Sequence, residues 1–499
     1  MGVTASAVAR VVGIDTQFKD LRISAALSLP QRIAILAQGA STETFPLTAY
    51  RITSAQDAAL RFGFGSMIHL AAREIFPENG TGVGSIPVVV LPVEDPTGGA
   101  TAGAGTITPS GPAVASGTFY ARVAGIKSKA FGVAAGDSLA IITAKFVAAI
   151  NGILQMPVIA STDSSIVTLT AKWSGTSGNG ITVEVLDGND EVPTTGLTFV
   201  CTPTTGGTGA ADIAPALSEL GSPWTTLIVN GFPATDTAVL DALNVLGEGR
   251  WDMLVRRPFV AVAGLATVDV NTATAVTDAR KTDRVNCQVV CPGSVAMPCQ
   301  IAGAHVREIA KVADSNPPTD YGARALRALL PGVDADQWTY AERDQAVKAG
   351  SSTIEVRDGV VQISDVVTNY HPVGEEPPAF RYVVDLMKLF TVIYNVDLEF
   401  TKAEWNGAPL IPDGQPTSNP NARTPKAAKA AMCAIIDGLA LAAIISDPKT
   451  AKKNTVASIS ATNPKRLDIQ STIQLSGNTN VISMDLYFGF FFGAPVIVG

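Results

Sequence analysis

Charge is scarce in this 499-residue chain: 16% of residues are Asp, Glu, Lys or Arg against 46% hydrophobic, and the net charge is -8. A surface so short of charge is expected to be covered in part by other protein, although a large core accounts for some of the same signal. Basic residues are scattered, with Lys449, Lys452 and Lys453 the densest cluster. Without a basic stripe interleaved with aromatics, nucleic acid is not an expected partner. Long hydrophobic runs are missing too. The longest, residues 430–445, is Ala-rich and broken by Asp437 and Gly438, so it reads as a packed helix and membrane insertion is not expected. Arg10 is the only early charge and no compact apolar segment follows it, which argues against a secretory signal and for folding in a cytoplasm.

The material for chemistry is equally thin. There are three histidines: His69 and His305 fall in helical patterns, and His371 precedes Pro372. None has a second histidine at ligand spacing, and His305 with Glu308 falls short of a zinc-protease motif. Gly63-Phe64-Gly65 and Gly178-Asn179-Gly180 are not followed by the Lys-Ser/Thr of a phosphate loop, and no Gly-x-Ser-x-Gly elbow accompanies the α/β pattern. An enzyme, a cofactor and a metal site are therefore not expected. Among the five cysteines, Cys287 and Cys291 share a strand face with Val285 and Val289, as buried thiols do. Four residues of strand separate them by roughly 13 Å, too far to bond each other or to share one metal. The odd total leaves a second reading open, in which Cys201, Cys287, Cys291, Cys299 or Cys433 forms a disulfide with a neighbouring subunit.

What is present is a set of changing patterns along the chain. Residues 1–25 alternate weakly through Ala7, Ala9, Val11 and Gly13 and read as an extended arm. From Gln31 the spacing predicts a strand, a helix capped by Ser54 and ended by Gly63, a second helix over 66–76 and the strand IPVVVLP, a β-α-β unit. Residues 98–208 turn to Gly, Thr, Ser and Ala with short strands and one helix near 137–152, an inserted β-rich domain. Strand and helix alternation then resumes over 209–350, which predicts a largely parallel sheet covered on both faces. Beyond Gly350 the pattern predicts a hairpin turned at Asp358-Gly359, an aromatic-rich helix over 380–394, and a helix from Thr424-Pro425 toward Ser446 limited by Pro448. A final strand pair is expected, with Leu467, Ile469, Ile473 and Leu475 on one face of the first strand and Ile482, Met484, Leu486 and Phe488 on one face of the second, joined at Gly477-Asn478. The resulting fold class is α/β multidomain: a central α/β sheet domain over 26–97 and 209–350, the inserted β-rich domain over 98–208, and an α+β C-terminal domain over 351–499, with extended N- and C-terminal arms.

One stretch carries more. The run YAERDQAVKAGSSTIEVRDGVVQISDVVTNYHP from Tyr340, continuing through RYVVDLMKLFTVIYNVDLEF, resembles the signature region of the contractile tail sheath family, as found in Mu-like phages. LPQRIAILAQG with SAQDAALRFGFGSMIHLAARE resembles the opening of those subunits, and residues 317–354 and 438–444 resemble later parts. These motifs are diffuse and mostly determine fold.

The resemblance implies a structural subunit that polymerises as stacked hexameric rings around an inner tube. It would contract from a metastable extended state to drive the tube through a cell envelope. Strand donation between neighbours is implied, from Ala7, Ala9, Val11 and Ile14 at one end and Ile482, Met484, Leu486 and Phe488 at the other. The partners implied are the chain itself, a tail tube protein, and baseplate and tail terminator proteins. Lys426 and Lys429, with Lys449, Lys452 and Lys453 behind them, are the expected tube contact. The place implied is a virion tail assembled in a host bacterial cytoplasm. A sheath of a phage-derived bacteriocin or other injection device fits equally, and a non-contractile adhesin or an α/β enzyme remains as a remote alternative.

Overall fold

The continuous apolar runs IAILAQ, VVVLPV, LIVN and VAVAGL are buried along their whole length apart from the last leucine, as strands covered on both faces must be. The computed structural model describes residues 26–78, 82–163, 165–191, 196–375, 377–480 and 483–486. They fall into two compact units, 26–27 with 392–476, and 28–391 with 477–486.

In the larger unit an eight-stranded sheet runs in the order Val360–Asp365, Ser351–Arg357, Asn286–Val290, Val260–Leu265, Leu227–Asn230, Ile33–Gln38, Val88–Val93 and Tyr50–Ile52. Inner neighbours are parallel, with Ile33 in register with both Val88 and Leu227, and each edge strand is antiparallel to its neighbour. The helix caps follow the sequence. Ser54 accepts from the Asp57 N–H and Ser66 from the His69 N–H, and Gly63 ends the first helix at φ 93°, where a side chain would be strained. Helix Pro298–Ser315 is buried along most of its length, and Phe390 of helix Val383–Phe400 packs edge-on against Trp251. Among the described residues no helix is long and apolar enough to cross a membrane.

Between Val88–Val93 and Leu227–Asn230 the chain makes a β-rich excursion. Thr198–Thr205, Ala102–Ser110, Ile166–Ser174 and Val158–Asp163 form one antiparallel sheet in that order, and Val183–Asp187, Gly117–Val123 and Ile126–Lys127 form another, which Phe131–Val133 joins. Helix Leu139–Asn151 packs on them through Phe146, whose ring meets Phe131 and Phe199. A half-buried lysine ties the excursion to the first helix pair. Lys172 Nζ donates to Phe64 O at 2.8 Å and Leu154 O at 2.9 Å, and a Cβ added at Gly65 would lie 2.0 Å from Met156 O. Lys172→Met leaves two carbonyls without this donor and is expected to cost about 1–3 kcal/mol. Thermal melting and faster amide exchange over 154–174 check this; unchanged melting and exchange would exclude the tie.

Three expectations are corrected. The hairpin after Gly350 does not open a new domain: Ser351–Thr353 pairs in parallel with Gln288–Val290, and Ser352 Oγ bonds both the N–H and the C=O of Val367. The compositional border at 350 therefore lies inside the main sheet, and the border between compact units falls at 391/392. The final strand pair also differs. Leu467–Gln470 pairs with Val456–Ile459, Gln474–Leu475 pairs with Ile445–Ser446, and residues 483–486 belong to no strand. Both short strands find partners upstream because Ile469, Ile473 and Leu475 pack on the core of their own unit. Pro448 likewise starts a helix, Pro448–Asn454, with Asp447 as its cap.

Candidate functional site

The smaller unit is built on helix Pro425–Leu441. Thr424 caps it by accepting from the Ala427 N–H, and Pro425 occupies the first turn, where a missing N–H is harmless. Ala428, Met432, Ile436 and Leu439 repeat at helical spacing and are buried against Val392, Ile444, Ile445 and Ala451. Two ribbons complete the unit, each of two strands. Among the described residues each of these strands pairs with one other, so its outer edge presents backbone N–H and C=O groups that a further strand could satisfy.

The chain enters this unit through a clamp that the sequence did not announce. Asn395 brackets Leu27 with its side-chain amide, accepting from the Leu27 N–H at 3.0 Å and donating to its C=O at 2.8 Å. The Ala26 N–H donates to Gly438 O at 3.1 Å. Between the two helices runs a groove of about 230 Å³ lined by Leu398, Ala431, Ala434, Ile435 and Gly438. The small residues in this lining are the only signal the sequence held.

The residues expected to matter are distributed as follows. Ala7, Ala9, Val11, Ile14, Ile482 and Phe488 lie outside the described residues; Met484 and Leu486 are 75% and 78% exposed. The lysines do not form one patch. Lys429 lies eight residues, about 12 Å, before Asp437 on the same helix, and it is Asp437 that Lys452 pairs with at 2.6 Å. Lys426 is thus exposed near one end of the helix, and Lys449 and Lys453 are exposed toward the other.

For the cysteines, burial overturns part of the expectation. Cys287, Cys291 and Cys299 are at most 2% exposed, and burial pushes the Cys287 and Cys299 thiols up to about 12 and raises that of Cys291 too. Thiols held neutral inside a core cannot reach a neighbouring subunit. Cys201 and Cys433 are half-buried; the Cys201 thiol is pushed up to about 11, mainly by burial.

A cleft of about 790 Å³ lies between the excursion and the first helix pair and includes Phe64, His69, Arg73, Glu74 and Lys127 in its lining. His69 is held as the neutral ring, with burial lowering it to about 4, and its Nδ1 accepts from the Gly65 N–H at 2.9 Å. That nitrogen is occupied as a cap. His305 Nδ1 meets Ile301 O and His371 Nδ1 meets Asn369 O, each at 2.8 Å. Among the described residues no three His, Cys, Asp or Glu side chains are grouped to hold a metal ion.

No family model matches the chain. The Mu-like prophage FluMu tail sheath protein of Haemophilus influenzae is 24% identical over 445 residues, covering 88% of this chain and 89% of the relative. This chain is related to the Mu-like tail sheath proteins. Solved sheath structures resemble it distantly. A sheath tail protein of Listeria innocua has a TM-score of 0.49 at 12% identity, covering 91% of this chain and 93% of its own. The helical sheath of the anti-feeding prophage in its contracted state has a TM-score of 0.48 at 11% identity, covering 97% and 99%. At such distance these structures add nothing to the sequence relationship, whose extent reaches well beyond either compact unit taken alone.

Proposed function

We propose that this chain is the structural subunit of a contractile tail sheath, polymerising as stacked hexameric rings around an inner tube and contracting from a metastable extended state. The relationship to a tail sheath protein over 88% of the chain carries the reading. The open-edged ribbons of the smaller unit support it, because strand addition joins subunits through main-chain hydrogen bonds that survive rotation of the rings. A few kcal/mol released per subunit, summed over many copies, suffices to drive a tube without a bound nucleotide. Tube, baseplate and terminator proteins are the proposed partners, and a virion tail assembled in a bacterial cytoplasm the proposed place. The sheath of a phage-derived bacteriocin is the same reading in another particle.

Negative-stain imaging of the purified chain tests the function. Striated hollow cylinders, alone or on added tubes, are the expected result; dispersed particles with and without tubes would overturn it.

For the tube contact, the split lysine groups are proposed to act separately, with Lys452 left to Asp437. Lys426→Glu with Lys429→Glu, or Lys449→Glu with Lys453→Glu, is expected to weaken tube decoration about tenfold at low salt and less at high salt. Co-sedimentation with tubes checks this, and undiminished decoration by both double variants would remove the lysines from the contact.

A further inference from the structure

Lys388 is 0% exposed, an ammonium enclosed on helix Val383–Phe400. A buried charge is tolerated only where acceptors surround it. One is Asp385 Oδ1, a turn earlier on the same helix, at 2.9 Å. Another comes from far along the chain: Asn478 Oδ1, at 2.6 Å. The other end of the same amide is used as well, because Asn478 Nδ2 donates to Pro318 O at 2.8 Å. Asp320, two residues on, also lies in the electrostatic reach of Lys388. Asn478 is therefore held at both ends of its side chain, between the helix and the segment that follows helix Pro298–Ser315.

Immediately beyond this point the character of the chain changes. Residues 479 and 480 are exposed, residues 483–486 belong to no strand, and Met484 and Leu486 present large apolar side chains to solvent at 75% and 78%. Twenty-one residues follow Asn478, enough to span about 70 Å if extended.

We infer that the Lys388–Asn478–Pro318 clamp anchors the root of the C-terminal segment, the segment that the sheath reading assigns to strand donation toward a second copy of the chain. The inference rests on the sheath reading for the identity of the partner and on the clamp for the position of the root. Pulling the arm away would take from a buried ammonium one of its acceptors, so force on the arm passes into helix Val383–Phe400 before the arm peels from its own subunit. A turn residue at the same place would pass no such force. Asn478 is in this sense a positioning residue.

The test compares the full-length chain with Asn478→Ala, which removes both bonds, and Asn478→Asp, which keeps an acceptor facing Lys388. Limited proteolysis with mass spectrometry reads cutting at 476–480, and sedimentation with imaging reads polymer. Asn478→Ala is expected to stay folded, to be cut about tenfold faster there, and to lose most of its regular cylinders. Asn478→Asp is expected to restore both toward the parent. Equal cutting and equal polymer in Asn478→Ala would overturn the anchor while leaving the sheath reading standing. If the parent forms no polymer at all, the sheath reading fails, and the cutting pattern alone then decides whether the clamp holds the segment. Should Asn478→Ala not fold, Lys388→Met, which removes the charge and keeps the length, is expected to give the faster cutting; protection equal to the parent would overturn the anchor.

Discussion

Deleting Met1–Asp20 is expected to leave a folded monomer that forms no cylinders, an all-or-none loss. The deleted segment includes Ala7, Ala9, Val11 and Ile14, the residues proposed to donate a strand, while the Asn395–Leu27 clamp and its groove remain in place. Strand donation supplies main-chain hydrogen bonds along a whole edge, so its removal takes away several bonds at once at every subunit contact. About 1 kcal/mol for each such bond, multiplied over a ring, is ample to abolish assembly. Analytical ultracentrifugation and circular dichroism read the two halves of the prediction. Cylinders from the truncated chain would refute the arm's role, and an unfolded product would show that the segment serves the monomer instead.

Glu74→Gln is expected to change how stability depends on pH. Helix Met67–Ile75 packs against helix Pro298–Ser315 where Gly303 allows close approach; a Cβ there would meet Ala71 O at 3.0 Å and Glu74 Cβ at 3.1 Å. Arg307 is buried at the same contact, donating to Glu74 O at 2.7 Å and to Glu308 Oε1 at 2.9 Å. The Glu74 carboxyl itself is enclosed, with Oε2 lacking a hydrogen-bond partner among the described residues. Burial raises it from 4.5 to about 7, against the pull of Arg307 and Arg73. The folded state thus favours the neutral acid. Its stabilising contribution is complete below pH 4.5 and is lost as pH rises through 7, a swing of about 3 kcal/mol. The amide variant stays neutral throughout, so its stability should exceed that of the parent at pH 8 and match it near pH 4.5. Urea unfolding across this range checks it, and parallel pH profiles for the two proteins would sink the assignment.

Much of the architecture was legible from local pattern. Ser54, Ser66 and Thr424 all accept from the N–H three residues on, because a cap is a contact between near neighbours and needs no knowledge of the fold. The buried strands around Ile35, Val90 and Val262 were equally plain, since strands covered on both faces must be apolar throughout. The hairpin at 351–365 was recognised as a hairpin and assigned to the wrong domain. Its turn is encoded in Asp358-Gly359, whereas its place beside Asn286–Val290 depends on residues some sixty positions away.

The sites were less legible than the elements. Gly477-Asn478 has the composition of a hairpin turn, yet Asn478 faces a buried ammonium ninety residues earlier. Lys388 and Asn395 read as ordinary polar positions of an aromatic helix until their partners are known. Lys452 was grouped with Lys449 and Lys453 by proximity in sequence, but the helix that carries Asp437 draws it aside.

By itself the sequence determined the order and type of most elements, the family relationship, and the shortage of groups for chemistry, because periodicity, caps and composition act over a few residues. Tertiary structure alone decided which unit owns the hairpin, which strands pair near the C-terminus, which cysteines are sealed in the core, and which amides hold the roots of the two terminal segments. Those outcomes depend on burial and on hydrogen-bond partners brought together from distant parts of the chain, and desolvation gives such pairings their energy only after the chain has folded.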